Sequence, residues 1–134
     1  MLQLLREKAE QLKALGCEGF AILWDDIEPE LSKEDAKHFK SFSEAHCRVS
    51  NQLHQQLGRS IFLFCPVEYC ASRASPCVAE SEYLRTIGDQ LDPDILVFWT
   101  GSKVRTSVGN QQNWRINFLA KYLSVLERQQ ISTY

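Results

Sequence analysis

The sequence predicts an α/β fold with about three parallel strands. Three short apolar runs, at 20–24, 61–65 and 95–99, have the length and composition of strands that are buried on both faces. Segments with helical periodicity separate these runs. Because a strand–helix–strand unit has a right-handed crossover, the carboxyl ends of all three strands should lie along one edge of a parallel sheet.

The first two helices are predicted from their apolar faces and end signals. Residues 1–16 carry one apolar face, and Gly16 is placed to end that helix. Ser32 and Asp35 resemble a capping box that begins a second helix of about 25 residues, closed by Gly58. Apolar positions in this second segment recur every three or four residues: Ala36, Phe39, Phe42, Val49, Leu53 and Leu57.

The remaining segments are a loop, a shorter helix and a tail. Residues 67–80 are predicted to be loop, and a helix is expected from Ser81 to Leu91, where Asp92 and Pro93 follow. The sequence changes in character near residue 104. We therefore predict one unit over 1–104 and a divergent helical tail over 105–134.

Composition excludes several function classes. A net charge of −2 gives no basic footprint for nucleic acid. No apolar run approaches the roughly 18 residues needed to cross a bilayer, and the N-terminus becomes charged too early for a signal peptide. A cytosolic or nuclear location is expected. The five cysteines show no CxxC spacing, which favours reduced and mostly buried thiols over a zinc site. We predict no metal and no cofactor.

Two adjacent carboxylates, Asp25 and Asp26, end the first strand, and ligands of parallel α/β sheets bind at the carboxyl ends of strands. Such an acid pair suits proton transfer or a metal ion. Close carboxylates repel, so that one holds a proton while the other stays ionised. The simpler alternative is a solvated turn in which one aspartate caps the next segment.

Polar side chains also follow the second and third strands. Tyr69 could donate a hydrogen bond to a ligand or lie against a sugar, although an aromatic that closes the sheet edge is the simpler alternative. Glu68, paired with an aspartate, could form a two-carboxylate glycosidase. Thr100 lies at the same predicted edge. The three histidines lie at intervals of eight on one helix, which predicts solvated or half-buried positions rather than metal ligands: His38, His46 and His54.

Taken in order, the segments FAILWDDI, FKSFSEAHCRVSNQL, FLFCPVEYC and SEYLRTIGDQLDPDILVFWTGSKV resemble the catalytic domain of glycoside hydrolase family 84 over residues 4–104. The resemblance implies a TIM (β/α)8 barrel, of which this chain would hold a central fragment of about three strands. It implies removal of β-linked N-acetylglucosamine from Ser and Thr of O-GlcNAc-modified proteins in the nucleus and cytoplasm.

The resemblance also implies residue roles. Asp25 would orient the 2-acetamido group of the substrate, and Asp26 would be the general acid/base. Tyr69 and Cys65 would line the substrate pocket. The implied mechanism is substrate-assisted, with the acetamido oxygen as nucleophile, so that Glu68 need not act as one.

Three strands of the eight in such a barrel predict that the fragment alone is inactive. The alternative function is a truncated, non-catalytic product that binds glycosylated protein or a partner chain. A Mg²⁺-dependent phosphotransfer fold, built on the acid pair, is a third hypothesis. The sequence makes no prediction of oligomeric state.

Overall fold

The computed structural model describes residues 2–25, 27 and 30–102. Three strands form one parallel sheet in the order β1-β2-β3: β1 Gly19–Leu23, β2 Ile61–Cys65 and β3 Leu96–Val97. The α-helices alternate with them: α1 Leu2–Ala14, α2 Phe42–Gln56 and α3 Glu82–Gln90. Two single 3-10 turns lie in the connections, at Asp35–Lys37 and Ala71–Arg73. The predicted alternation of parallel strands with helices is confirmed.

One face of the sheet carries the core. In the strand register, Phe20 lies opposite Phe62, and Ile22 opposite Phe64, which in turn pairs with Val97. These side chains pack against the helices, and α2 contacts both α1 and α3. The buried helix-side partners come from four places: Ala9 on α1, Cys47 and Leu53 on α2 with Leu57 at its C-cap, Ile87 on α3, and Ile95 just before β3.

The opposite face of β1 is exposed, so the prediction that this strand is buried on both faces is wrong. Side chains alternate along a strand, and Gly19, Ala21 and Leu23 point away from the helices. Leu23 is 62% exposed, and Ile61 of β2 is 69% exposed. The reason is that the helix-side residues of all three strands share one core with α1, α2 and α3. We call the face of Gly19, Ala21, Leu23 and Ile61 the open face.

The predicted long second helix is wrong in its first half. Ser32 Oγ does accept the Asp35 N–H at 3.0 Å and donate to its carboxylate at 2.7 Å, but this box holds a single 3-10 turn. The helix begins instead after Ser41, whose Oγ accepts the Glu44 N–H at 3.1 Å. The Glu44 carboxylate reaches back to accept the N–H of Lys40 at 2.8 Å.

The predicted helix ends are confirmed. Gly16 and Gly58 follow α1 and α2 with φ of +91° and +72°, a left-handed conformation that favours glycine. Ser81 is the N-cap of α3 and accepts the Leu84 N–H at 3.0 Å. The third strand is shorter than predicted, although the Phe98 N–H still donates to Phe64 O at 2.8 Å beyond it.

Within the described ranges, no helix is long and apolar enough to cross a membrane. The predicted tail helix and the predicted boundary at residue 104 lie outside the described residues.

Candidate active site

Backbone hydrogen bonds join the carboxyl ends of the three strands. The Trp24 N–H donates to Cys65 O at 3.0 Å, which continues the β1–β2 pairing by one residue. The Thr100 N–H donates to Tyr69 O at 2.9 Å, and Ala71 N–H donates to Gly101 O at 2.9 Å. The segment after β2 therefore lies along the segment after β3, and the sequence-predicted edge is confirmed for its described members.

Asp25 lies in the turn directly after β1 and is half-buried. It directly follows Trp24, which packs against the core on the helix side. Asp26, its predicted partner, lies outside the described residues.

Cys65 and Tyr69 are the two predicted site residues on β2 and its loop. Cys65 is 3% exposed and pairs in register with Leu23, two residues before Asp25. Its thiol lies 3.9 Å from Pro66 O. Tyr69 is half-buried, and the Arg73 guanidinium lies over its ring at 5.1 Å from the centroid. A guanidinium at that distance holds the ring by a cation–π interaction.

Glu68 is engaged in the loop that follows β2. Its carboxylate accepts the Ser81 hydroxyl at 2.5 Å and the Ser75 N–H at 3.3 Å. Ser81 is also the N-cap of α3, so Glu68 ties the loop to the start of that helix. These contacts occupy the carboxylate and disfavour a glycosidase in which Glu68 is the second acid. The sequence did not reveal them, because Ser81 is 13 residues from Glu68.

A cluster of rings lies on the helix side of the same edge, and sequence reasoning missed it. His46 of α2 stacks on Trp24 with ring centroids 3.9 Å apart and an interplanar angle of 14°. Phe42 lies on His46 at 4.0 Å. The Tyr83 hydroxyl of α3 is 3.0 Å from His46 Nδ1 and accepts the Val67 N–H at 3.2 Å. We call these four rings (Trp24, Phe42, His46 and Tyr83) the His46 cluster.

The prediction of solvated or half-buried histidines holds for His38 and is wrong for the other two. His46 is 2% exposed and His54 is 1% exposed. The eight-residue interval does rotate the side chain around α2. However, α2 is packed between the sheet, α1 and α3, so its buried face is wide enough to take both positions.

Burial sets the charge states in the His46 cluster. It lowers the pKa of His46 to about 3, because the charged imidazolium would lose its hydration. It also raises the pKa of Tyr83 well above its ordinary value, the main cause again being lost hydration of the charged form. Both groups are neutral near pH 7. Two nitrogen atoms in the cluster, Trp24 Nε1 and His46 Nε2, are buried with no hydrogen-bond partner among the described residues.

Among the residues that the structure describes, no group of three or more His, Cys, Asp or Glu side chains is placed to hold a metal ion. Cys47, Cys65 and Cys70 are buried thiols, whereas Cys17 and Cys77 are exposed. Burial raises the pKa of Cys47 to about 12. Its position in the core is that of a small apolar residue.

Solved structures with similar folds are glycoside hydrolases. An O-GlcNAc hydrolase mutant from Thermobaculum terrenum superposes with a TM-score of 0.67 at 29% identity, covering 77% of this chain and 22% of that chain. The protein CpGH84B superposes with a TM-score of 0.60 at 31% identity, covering 78% of this chain and 18% of that chain. The resemblance to family 84 that the sequence predicted is thereby confirmed.

Sequence relatives agree with the structures. The chain is 45% identical over 101 residues to protein O-GlcNAcase of Rattus norvegicus, and equally so to that of Mus musculus. The matched region is 75% of this chain and spans 11% of the length of each relative. The family model of the β-N-acetylglucosaminidases (NAGidase) matches residues 1–125. The extent of this match, together with the identity to the two relatives, shows that the chain belongs to the β-N-acetylglucosaminidase family.

Proposed function

We propose that this chain is part of an enzyme that removes β-linked N-acetylglucosamine from Ser and Thr of O-GlcNAc-modified proteins in the nucleus and cytoplasm. The observation that carries the proposal is the position of Asp25. It follows β1 at the edge where the β2 segment with Cys65 and Tyr69 also ends. Membership of the family supplies the substrate class. The names of the rat and mouse relatives point to the same sugar.

The fold that suits this function is a partial TIM barrel. Three parallel strands in sequential order, with their connecting helices in one core, have the arrangement of consecutive units of a (β/α)8 barrel. In that arrangement the open face, with Leu23 and Ile61, would be the barrel interior. Catalytic groups of such barrels come from the carboxyl ends of the strands, which is where Asp25 lies.

The proposed chemistry divides the work between the two aspartates. Asp25 orients the substrate's 2-acetamido group, whose carbonyl oxygen attacks the anomeric carbon and forms an oxazoline. Asp26 gives its proton to the departing glycosidic oxygen and then takes a proton from the water that opens the oxazoline. Two inversions at the anomeric carbon leave its configuration retained. Such a division needs one carboxyl that holds its proton beside one that stays ionised.

Two further residues are proposed to bind the sugar. Tyr69 is held by its backbone bond to Thr100 and by Arg73 over its ring, which gives a fixed aromatic surface. Cys65 is buried at the end of β2, in register with Leu23 and next to the edge where the sugar would bind. No metal ion takes part in this scheme.

The test is hydrolysis of a fluorogenic β-N-acetylglucosaminide by this chain and, in parallel, by a longer form that contains the rest of the catalytic domain. The Asp26→Asn and Asp25→Asn variants should each lose at least about a hundredfold in turnover. Asp89→Asn, an exposed aspartate on α3, is the matched control and should keep full turnover. Full activity of Asp26→Asn in the longer form would refute its assigned role.

A second candidate is a non-catalytic product that binds glycosylated protein or a partner chain. The open face favours it, because apolar side chains such as Ile61 and Leu23 remain exposed on the described sheet. Binding of a glycosylated peptide without turnover, unchanged by Asp26→Asn, would support this function over hydrolysis by the chain alone.

A further inference from the structure

The His46 cluster connects the two strand ends that carry the proposed site. Trp24 is the residue directly before Asp25, and it lies flat on the His46 ring. Val67 is two residues before Tyr69, and its N–H donates to the Tyr83 hydroxyl. Trp24 and Val67 each lie just beyond the strand that precedes it. The cluster therefore holds both chain segments at the points where they leave the sheet.

The direction of the hydrogen bonds follows from their chemistry. A backbone N–H can only donate, so the Tyr83 oxygen accepts from Val67 and its own hydrogen is free to point to His46 Nδ1. Tyr83 donates to Nδ1 when His46 is neutral with its proton on Nε2. The low pKa that burial gives this imidazole agrees with a neutral ring. Val67, Tyr83 and His46 are thus joined by two successive hydrogen bonds.

His46 is also fixed in orientation. Trp24 stacks on the ring, Phe42 contacts it at 56°, and Tyr83 meets it edge-on at 5.9 Å. A ring enclosed in this way cannot rotate without moving its neighbours. A shift at His46 would therefore be felt at Trp24, and so at Asp25.

We propose that His46 and Tyr83 are positioning residues for the proposed hydrolase, which set where Asp25 lies relative to the β2 segment with Tyr69. They touch neither the sugar nor the reacting atoms. Their effect is on geometry, and displacements on the order of 1 Å in a catalytic group can cost about a hundredfold in rate. This role rests on the proposed function, because positioning matters only if Asp25 and Tyr69 serve catalysis.

A proton-relay role is the main rival, and the structure disfavours it. Of the two ring nitrogens of His46, Nδ1 lies against the Tyr83 hydroxyl and Nε2 has no hydrogen-bond partner among the described residues, so the ring makes no hydrogen bond to Asp25. Trp24, Phe42 and Tyr83 contact its ring, and none of the three is a carboxylate. A proton relay would also need an imidazole that titrates near neutral pH, whereas burial lowers the pKa of His46 to about 3.

The first test variant is Tyr83→Phe, which keeps the ring and removes the hydroxyl that joins Val67 to His46. A second, His46→Phe, keeps a ring on Trp24 and removes the bond to Tyr83. The matched control is Asn51→Ala. Asn51 also joins α2 to the end of α3, accepting the Asp92 N–H at 2.8 Å and donating to Gln90 O at 2.7 Å. Those bonds lie near the amino end of β3, away from the proposed site.

The first readout is amide hydrogen exchange with NMR chemical shifts. In Tyr83→Phe we expect the Val67 amide to exchange at least about tenfold faster, and the Trp24 and Asp25 amide shifts to change. Asn51→Ala should leave these three amides unchanged. Unchanged amides in Tyr83→Phe, or equal changes in Asn51→Ala, would overturn the proposal. If His46→Phe does not fold, the amide readout in Tyr83→Phe tests the proposal by itself.

The second readout is turnover of the fluorogenic N-acetylglucosaminide by the longer form that contains the rest of the catalytic domain. Tyr83→Phe should lower kcat about tenfold or more with little change in KM and no shift in the pH profile, while Asn51→Ala keeps the native kcat. A shifted pH profile would indicate a proton relay and overturn positioning. Absence of turnover in the unaltered longer form would count against the proposed function alone, since the amide readout still decides whether the cluster holds Asp25.

Discussion

Acidification should destabilise this protein through one buried imidazole. His46 is 2% exposed, and burial lowers its pKa to about 3, against 6.5 for an imidazole in water. The unfolded chain therefore takes up this proton at a higher pH than the folded chain does. The contribution of His46 to the free energy of unfolding is fully present above pH 6.5. It falls as the pH drops toward 3, because proton binding then favours the unfolded state.

The size of the effect follows from the two pKa values. Between about pH 7.5 and about pH 5, His46 becomes protonated in the unfolded chain but not in the folded chain. This difference in proton binding lowers the free energy of unfolding by about 2 kcal/mol. Asp92 does not confound this range. Its pKa is lowered, first by the Asp94 N–H, so it titrates below pH 3.8, where its contribution to stability would be lost.

The assay is urea denaturation at both pH values for the native chain and for His46→Gln, which keeps a hydrogen-bonding side chain but cannot titrate. We expect the native chain to lose about 2 kcal/mol more than the variant over this range. His38→Gln, at an exposed position, is the matched control and should behave as the native chain does. An equal loss in the native chain and in His46→Gln would refute the reasoning.

Three further predictions concern stability. Ser81→Ala removes the N-cap of α3 and a donor to Glu68, and should cost about 1–2 kcal/mol in urea denaturation; a cost near zero would mean that the loop is not tied to α3 through this serine. Leu57→Ala should cost about 2–5 kcal/mol by the same assay, because Leu57 is 1% exposed, whereas Leu4→Ala, at 71% exposed, should cost less than about 0.5 kcal/mol. Ile61→Lys on the open face should change the free energy of unfolding by less than about 0.5 kcal/mol and raise solubility in a light-scattering assay. A loss above about 2 kcal/mol would show that this face is covered.

Local patterns were enough for the parts of the fold that depend on local chemistry. The apolar runs located all three strands, and Gly16 and Gly58 marked helix ends because a left-handed residue is a local requirement. The second helix was harder to predict. Ser32 and Ser41 are each followed three residues later by an acid, and each serine oxygen accepts the backbone N–H of that acid. Only packing against the sheet decides which of them begins a long helix.

The candidate site also has a part that local sequence predicts and a part that depends on packing. Asp25 and Tyr69 were located from their place after a strand, which a sequence displays directly. The His46 cluster was missed, because it depends on how α2, α3 and two strand ends meet. Its four rings come from three separate segments of the chain, and its hydrogen bond to Val67 adds a fourth. A single sequence gives no sign that His46 and Tyr83, 37 residues apart, share a hydrogen bond.

The sequential strand order has a consequence for how the chain folds. Each strand pairs with the next one along the chain, β1 with β2 and β2 with β3, and the helix between them packs on that pair. No described strand has to wait for a distant partner. Each closure therefore spans one helical crossover and no more, which favours faster folding than a parallel sheet with distant strand partners would have. During synthesis, β1 can pair with β2, and α2 can pack on that pair, once Cys65 has left the ribosome and before α3 and β3 have emerged.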